Sequence, residues 1–145
     1  MGKYTKSLGE LEIGTFEVAE RLILKNLINS GLTLRNVIPI NNHRYSIVQF
    51  KEKNILVTYK REVFYNFGLQ FRDLGYKGVG DTINKYDIET ALDFGVSEIY
   101  SVFPNGTAYM INMRDFLNKA LTWENKEGKI VMSVSIHELK KVFEL

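Results

Sequence analysis

The chain has 145 residues, of which 45% are hydrophobic and 25% charged, and its formal net charge is +2. These values predict one globular domain over residues 1–145. The absence of cysteine excludes a disulfide framework, a thiolate metal site and a cysteine nucleophile. No apolar stretch approaches the ~20 residues of a membrane-spanning helix, and the N-terminus lacks the apolar core of a secretory signal. We therefore expect a soluble, unprocessed, intracellular protein of the cytoplasm.

The charge is unevenly distributed along the sequence. Residues 41–85 hold eight lysines and arginines against four acids, whereas the remainder holds eleven against thirteen. A local excess of positive charge suits contacts with phosphate groups. Seven basic residues of this middle segment are the candidates for nucleic-acid binding: Arg44, Lys51, Lys53, Arg61, Arg72, Lys77 and Lys85. The eighth, Lys60, is discussed below.

The first half of the chain predicts a helix followed by three strands. Residues 1–12 are polar and unpatterned, which indicates a flexible tail. Apolar residues at helical spacing, with Thr15 as N-cap and Gly31 as stop, then predict a helix from Thr15 to Ser30. Three β-like runs follow it, with turns at Asn41-Asn42 and at residues 51–54: Leu34–Ile40, Tyr45–Phe50 and Ile55–Lys60.

Residues 61–86 combine aromatic, basic and glycine residues and predict a partly helical, mobile loop. Their aromatic rings either stack on bases or fill a satellite core, and Tyr65 and Tyr76 are the rings we expect to be exposed. The glycines between Gly75 and Gly80 match neither common phosphate-loop pattern, which disfavours nucleotide hydrolysis.

The second half predicts a crossover helix and a C-terminal β-α-β-α extension. The crossover helix spans about residues 84–94, with Ile88, Ala91 and Leu92 facing inward, and a strand over 98–103 follows it. Ser135 and Glu138 form a capping box that predicts a final helical segment. The predicted elements of the extension are a strand over 107–111, a helix over 113–121 capped by Asn112, a strand over 130–134 and that last helix.

The order helix, three strands, helix, strand is typical of a mixed sheet flanked by helices. In this order the sequence resembles the core of the restriction-endonuclease-like, PD-(D/E)XK, superfamily, in particular small archaeal Holliday-junction resolvases and small nucleases of archaeal viruses. The resemblance spans residues 15–111. It aligns Thr58-Tyr59-Lys60 with the acid-x-Lys triplet that ends the family's third strand. Thr58 stands in the place of the acid, and the second strand begins Arg44-Tyr45-Ser46 without a carboxylate.

The resemblance implies metal-assisted phosphodiester hydrolysis of double-stranded or branched DNA, with Mg²⁺ or Mn²⁺ as cofactor and a homodimer as the acting form. Lys60 matches the family's catalytic lysine, which would orient the attacking water or neutralise the phosphate. The family also allows acids from other elements, and Glu89 on the crossover helix is our candidate metal ligand. Other carboxylates that could join the site are Glu62, Glu20 and Glu17.

Three functions remain open at this point. The first is a Mg²⁺-dependent deoxyribonuclease in which Lys60 and Glu89 act in catalysis. The second is a non-catalytic DNA-binding or regulatory protein that kept the nuclease scaffold and lost the acids. The third is a small interaction protein whose basic segment contacts an acidic partner. Lys60 is otherwise a surface lysine at a strand end, and Glu89 a carboxylate placed near a helix N-terminus by the helix dipole.

Overall fold

The computed structural model describes residues 16–42, 44–59, 80–102, 107–125, 127–135 and 138–143. Within these ranges no helix is long and apolar enough to cross a membrane. The helices and strands, in chain order, are α1 (Phe16–Asn29), β1 (Leu34–Ile40), β2 (Tyr45–Phe50), β3 (Asn54–Tyr59), β4 (Gly80–Asn84), α2 (Lys85–Asp93), β5 (Val96–Val102), β6 (Ala108–Asn112), α3 (Met113–Lys119), β7 (Leu121–Glu124), β8 (Ile130–Ser135) and β9 (Lys140–Phe143).

The predictions for the tail and for most of the central loop fall outside the described residues. The same is true of these candidate residues: Lys60, Arg61, Glu62, Tyr65, Arg72, Tyr76, Lys77 and the side chain of Glu17.

The main sheet has six strands in the order β1-β2-β3-β5-β6-β9. β1, β2 and β3 form an antiparallel meander, and β5 lies parallel to β3. A parallel neighbour requires a crossover connection, and α2 lies in that connection. β6 and β9 then add antiparallel strands at the far edge. The chain is thus an α/β protein with a mixed six-stranded sheet flanked by helices, as predicted.

The two faces of this sheet bury different side chains, because successive residues of a strand point to opposite sides. On one face, Ile23 and Leu27 of α1 lie one helical turn apart and join a core that includes Val57. On the other face, Ile88 of α2 packs in a core with Leu56 of the same strand β3. We refer to them as the α1 face and the α2 face.

A second, three-stranded antiparallel sheet extends the core on the α2 face. Its order is β4-β8-β7, and Ile83, Met132 and Val134 pack in the same core as α2. All four residues of β7 are exposed at the edge of this sheet, Leu121 to 53%. Neither β4 nor β7 was predicted. β4 begins in the stretch whose mixed composition indicated a loop, and β7 is only four residues long.

The last described element is the strand β9, which pairs with the edge of β6. The predicted final helical segment after Ser135 falls on residues 136–138, of which the structure describes only Glu138, in a 3₁₀ turn. Glu138 Oε2 forms an ion pair with Lys119 Nζ at 2.7 Å. The cap of α3 is confirmed, since Asn112 Oδ1 accepts a hydrogen bond from Asp115 N at 2.8 Å.

The buried side of α2 differs from the prediction at one position. Ile88 and Ala91 are buried as expected, but Leu92 is 43% exposed. Asp87 takes its place on the buried side, with 2% of its surface exposed. A buried carboxylate needs a hydrogen-bond donor, and the partner of Asp87 defines the site described next.

Candidate nucleic-acid interface

The acid position of the predicted triplet holds a buried hydroxyl. Thr58 lies on the α2 face of β3, where its Oγ1 donates a hydrogen bond to Ser101 Oγ on the parallel neighbour β5 at 3.0 Å. Both side chains are almost fully buried. A threonine held in this way offers no negative charge to a metal ion, so Thr58 does not replace the family's carboxylate.

Glu20 lies on the other side of the sheet. It projects from α1, is half-buried and accepts a hydrogen bond from Ser46 Oγ at the start of β2. Ser46 precedes Ile47, which belongs to the α2-face core, so Ser46 points to the opposite, α1 face. Its strand partner Val57 also belongs to the α1-face core. Glu20 and Thr58 are therefore separated by the sheet, and the structure does not bring them together.

Glu89 is exposed on α2, on the α2 face of the sheet and so away from Glu20. Within the described ranges, no group of three or more histidine, aspartate or glutamate side chains is arranged to hold a metal ion. The prediction that Glu89 binds a metal stays a prediction, as do those for Lys60 and Glu62.

Glu89 does lie in a cleft, together with the predicted DNA contact Lys85. The cleft is formed where the β1–β2 turn meets the N-terminal end of α2 and the start of β8. Its volume of about 730 Å³ lies within the range of ~300–1,000 Å³ that is usual for ligand sites. It is lined by Ile40, Asn41, Asn84, Lys85, Tyr86, Asp87, Glu89, Thr90, Lys129 and Ile130.

One hydrogen bond holds the turn against α2. Asn41 and Asn42 adopt left-handed backbone conformations, with φ of 51° and 54°, which asparagine tolerates better than most residues. Asn41 Nδ2 then donates to Asp87 Oδ2 at 2.8 Å. Arg44 N closes the turn by donating to Asn41 O at 3.1 Å. The contact between Asn41 and Asp87 consequently fixes the cleft and brings the exposed Arg44 to the same end of the molecule.

Tyr86 is the most exposed large side chain of the cleft, with 76% of its surface accessible. Its backbone is held in the first turns of α2, where Tyr86 O accepts a hydrogen bond from Thr90 Oγ1 at 3.0 Å. Ile40 and Ile130 supply apolar surface to the same cleft. The ring is thus held at its base while its face remains open to a ligand.

Two lysines supply positive charge to this cleft. Lys85 and Lys129 line it, and the backbone of Lys129 is fixed by two hydrogen bonds with Asn125, at 2.9 and 2.8 Å. The N-terminal end of α2 adds the positive end of the helix dipole, and the Asn84 side chain at the N-cap makes no capping hydrogen bond to the helix. Asp87 and Glu89 balance the two lysines in formal charge, but Asp87 is buried and hydrogen-bonded to Asn41, whereas both lysines are exposed.

Two other predicted contacts, Lys51 and Lys53, lie at the opposite end of the sheet. Lys51 and Lys53 follow β2, whose six residues at ~3.3 Å each separate them from Arg44 by about 20 Å. Lys53 Nζ binds Glu98 Oε1 at 2.7 Å, and the same oxygen accepts a hydrogen bond from Tyr100 at 3.1 Å. Burial, and then the Glu98 charge, raise the pKa of Tyr100. The described basic residues of the middle segment are therefore divided between two ends of the sheet, with Arg44 and Lys85 at one end and Lys51 and Lys53 at the other.

Sequence reasoning identified Lys85, Glu89 and Arg44 but missed other residues of the cleft. Tyr86 was counted with the central aromatic residues, yet Tyr65 and Tyr76 were favoured as the exposed rings. Lys129 lies 44 positions after Lys85, and no local pattern connects the two. The Asn41-Asn42 pair indicated a turn, but its contact with Asp87 is not visible in the sequence.

Comparison of the chain with family models, curated proteins and solved structures gave no match. The case for a function therefore rests on the site itself.

Proposed function

We propose that this chain is a DNA-binding protein that contacts the phosphate backbone with the cleft end of its sheet and does not cleave it. The observation that carries the proposal is the joint position of Lys85, Lys129 and an exposed Tyr86 in one cleft beside the N-terminal end of α2. Lysine and arginine side chains supply most of the affinity for a phosphate backbone, and helix N-termini add to it.

The fold supports a more specific form of this proposal, in which the chain is a degenerate relative of the restriction-endonuclease-like core. The meander β1-β2-β3, the crossover through α2 and the parallel strand β5 have the order and directions that the resemblance implies. The acid position of the third strand supports loss of cleavage, because it holds Thr58, whose hydroxyl is hydrogen-bonded to Ser101. A protein of this kind would retain DNA without hydrolysing it.

Salt dependence gives the first quantitative test. If Arg44, Lys85 and Lys129 each neutralise one phosphate, log K falls with log salt with a slope of about −2.7. A rise from 50 to 200 mM salt would then weaken binding by about 40-fold. Fluorescence anisotropy of a labelled 20-base-pair duplex measures this slope directly.

The matched variants are Lys85→Ala with Lys129→Ala, against Lys25→Ala as control. Lys25 is an exposed lysine of α1, on the opposite face of the sheet. We expect the double variant to reduce the slope to about −0.9, whereas the control keeps the slope of the unmodified chain. Equal slopes in all three proteins, or no binding of DNA by the unmodified chain, would overturn the proposal.

A second candidate is the metal-assisted nuclease, and one observation favours it. Glu20 reaches the first residues of β2, where the resemblance requires a carboxylate. Lys60 follows β3 directly in the sequence and would complete such a centre. Incubating linear and branched DNA with Mg²⁺, Mn²⁺ or EDTA tests this candidate. Cation-dependent cutting that disappears in Lys60→Ala and in Glu20→Gln or Glu89→Gln would support hydrolysis, and uncut DNA in both metals would refute it.

We also propose that the chain forms a homodimer. The exposed edge strand β7 offers backbone groups and the apolar side chain of Leu121 to a second copy. Light scattering after gel filtration gives the mass in solution. A mass of two chains that falls to one in Leu121→Lys would support pairing through β7, and a single-chain mass at all concentrations would exclude it.

A further inference from the structure

We propose that the cleft binds one unpaired nucleotide of a DNA strand, with its base against the ring of Tyr86. This inference rests on the proposed DNA-binding function and specifies the form of DNA that the site takes. It predicts a preference for single-stranded or locally unpaired DNA over a continuous duplex.

The shape of the site excludes paired bases from the aromatic surface. The faces of bases in a duplex are covered by their neighbours, so a protein ring can stack only on a base that has left the helix. Tyr86 lies in a concave cleft of about 730 Å³ rather than on a convex surface. An extruded or single-stranded base can enter such a cleft and reach the ring, whereas the stacked bases of a duplex offer no free face to it.

The chemistry of the lining matches the parts of a nucleotide. The exposed Tyr86 ring and the apolar side chains of Ile40 and Ile130 suit the flat, weakly polar face of a base. The side-chain amide of Asn84, which does not cap α2, carries both donors and an acceptor for the edge of that base. Lys85 and Lys129 border the same cleft and suit the adjoining phosphate.

The carboxylates of the cleft restrict the ligand to one with few phosphates. Asp87 and Glu89 balance Lys85 and Lys129 in formal charge, so the lining has no positive excess to hold the several charges of a triphosphate. One backbone phosphate needs only the contact with an exposed lysine. We therefore infer a nucleotide within a strand, and not a free nucleoside triphosphate, as the ligand. A nucleoside triphosphate that competed as strongly as an oligonucleotide would overturn this assignment.

The experiment compares one 20-nucleotide strand, free and annealed to its complement, in anisotropy titrations at fixed salt. Tyr86→Ala removes the ring, Tyr86→Phe keeps its face, and Leu92→Ala serves as an exposed control on the same helix. Base–aromatic stacking changes affinity by about 5- to 150-fold per base. We expect a loss of this size for single-stranded DNA in Tyr86→Ala, no more than about twofold in Tyr86→Phe or Leu92→Ala, and little change for duplex.

A 2-aminopurine base within the same strand reports stacking directly, since its fluorescence is quenched on an aromatic ring. Quenching that is present with the unmodified chain and absent with Tyr86→Ala would support the inference. Equal affinity for both DNA forms with no effect of Tyr86→Ala would refute it, while leaving the DNA-binding proposal intact if the lysine variants still change the salt slope. Absence of binding to either form would refute both.

Discussion

Replacement of Asn41 by alanine tests whether one hydrogen bond builds the cleft. Asp87 is 2% exposed and accepts its hydrogen bond from Asn41 Nδ2 at 2.8 Å. Removing the donor leaves a buried carboxylate without this partner, and a hydrogen bond to a charged group contributes about 1.5–3 kcal/mol. We expect the loss of this hydrogen bond alone to cost about 2 kcal/mol, in addition to the backbone cost of alanine in a left-handed conformation.

The neighbouring residue provides a matched control. Asn42 has the same left-handed backbone conformation, with φ of 54° against 51°, but it is exposed. Asn42→Ala therefore carries the same backbone cost, about 1–2 kcal/mol, without the loss of the buried contact. The difference between the two variants isolates the hydrogen bond to Asp87.

Urea denaturation followed by the fluorescence of Trp123, the only tryptophan of the chain, measures both free energies of unfolding. We expect Asn41→Ala to be less stable than Asn42→Ala by about 2 kcal/mol and to bind DNA more weakly. Equal stability of the two variants would show that the turn is held by other contacts, and the reasoning about the cleft would fail.

Three further predictions concern the sheet. Thr58→Val leaves the buried Ser101 hydroxyl without this partner and should cost about 1–3 kcal/mol in denaturation experiments, whereas adding Ser101→Ala should recover part of the loss. The pKa of Tyr100 is raised in the folded chain. Its contribution to stability is therefore present below the unfolded pKa of about 10 and is lost as the pH rises above that value. Glu98→Gln should make this loss of stability smaller in denaturation curves recorded from pH 8 to 12. Gly95 has φ of +69°, so Gly95→Ala should reduce stability by about 1–2 kcal/mol, measured in the same way.

Local patterns predicted the elements whose signals lie within a few residues. The spacing of Ile23 and Leu27 gave α1, and the cap at Asn112 gave the start of α3. Strand β9 could not be predicted in this way, because it forms only where the edge of β6 offers backbone partners. A four-residue segment has no periodicity of its own that separates a strand from a helical turn.

The residues of the candidate site also fall into those that the sequence predicts and those that only the fold brings together. Glu89 was predicted because the resemblance allows an acid on the crossover helix, and Lys85 because residues 41–85 have an excess of basic residues. Lys51 and Lys53 share a short sequence segment with Arg44, yet the length of β2 carries them to the other end of the sheet. Asn41 and Asp87 are 46 positions apart, and only the folded sheet brings the amide to the carboxylate.

The position of the cleft follows from the direction of the strands. Because β3 and β5 are parallel, the chain must return from the end of β3 to the start of β5, and Asn54 Nδ2 fixes the C-terminal end of α2 there by donating to Phe94 O at 2.7 Å. The N-terminal end of α2 consequently lies at the carboxyl ends of both strands, where open α/β sheets commonly bind their ligands. The sequence continues from Tyr59 at that same end directly into Lys60. If Lys60 contacts phosphate there as a fourth cation, the slope of the Lys85→Ala and Lys129→Ala variant is about −1.8 rather than −0.9, and Lys60→Ala in that background should bring it to about −0.9, even where no DNA is cut. An unchanged slope would indicate that Lys60, the predicted catalytic lysine, does not contact DNA at this end of the sheet.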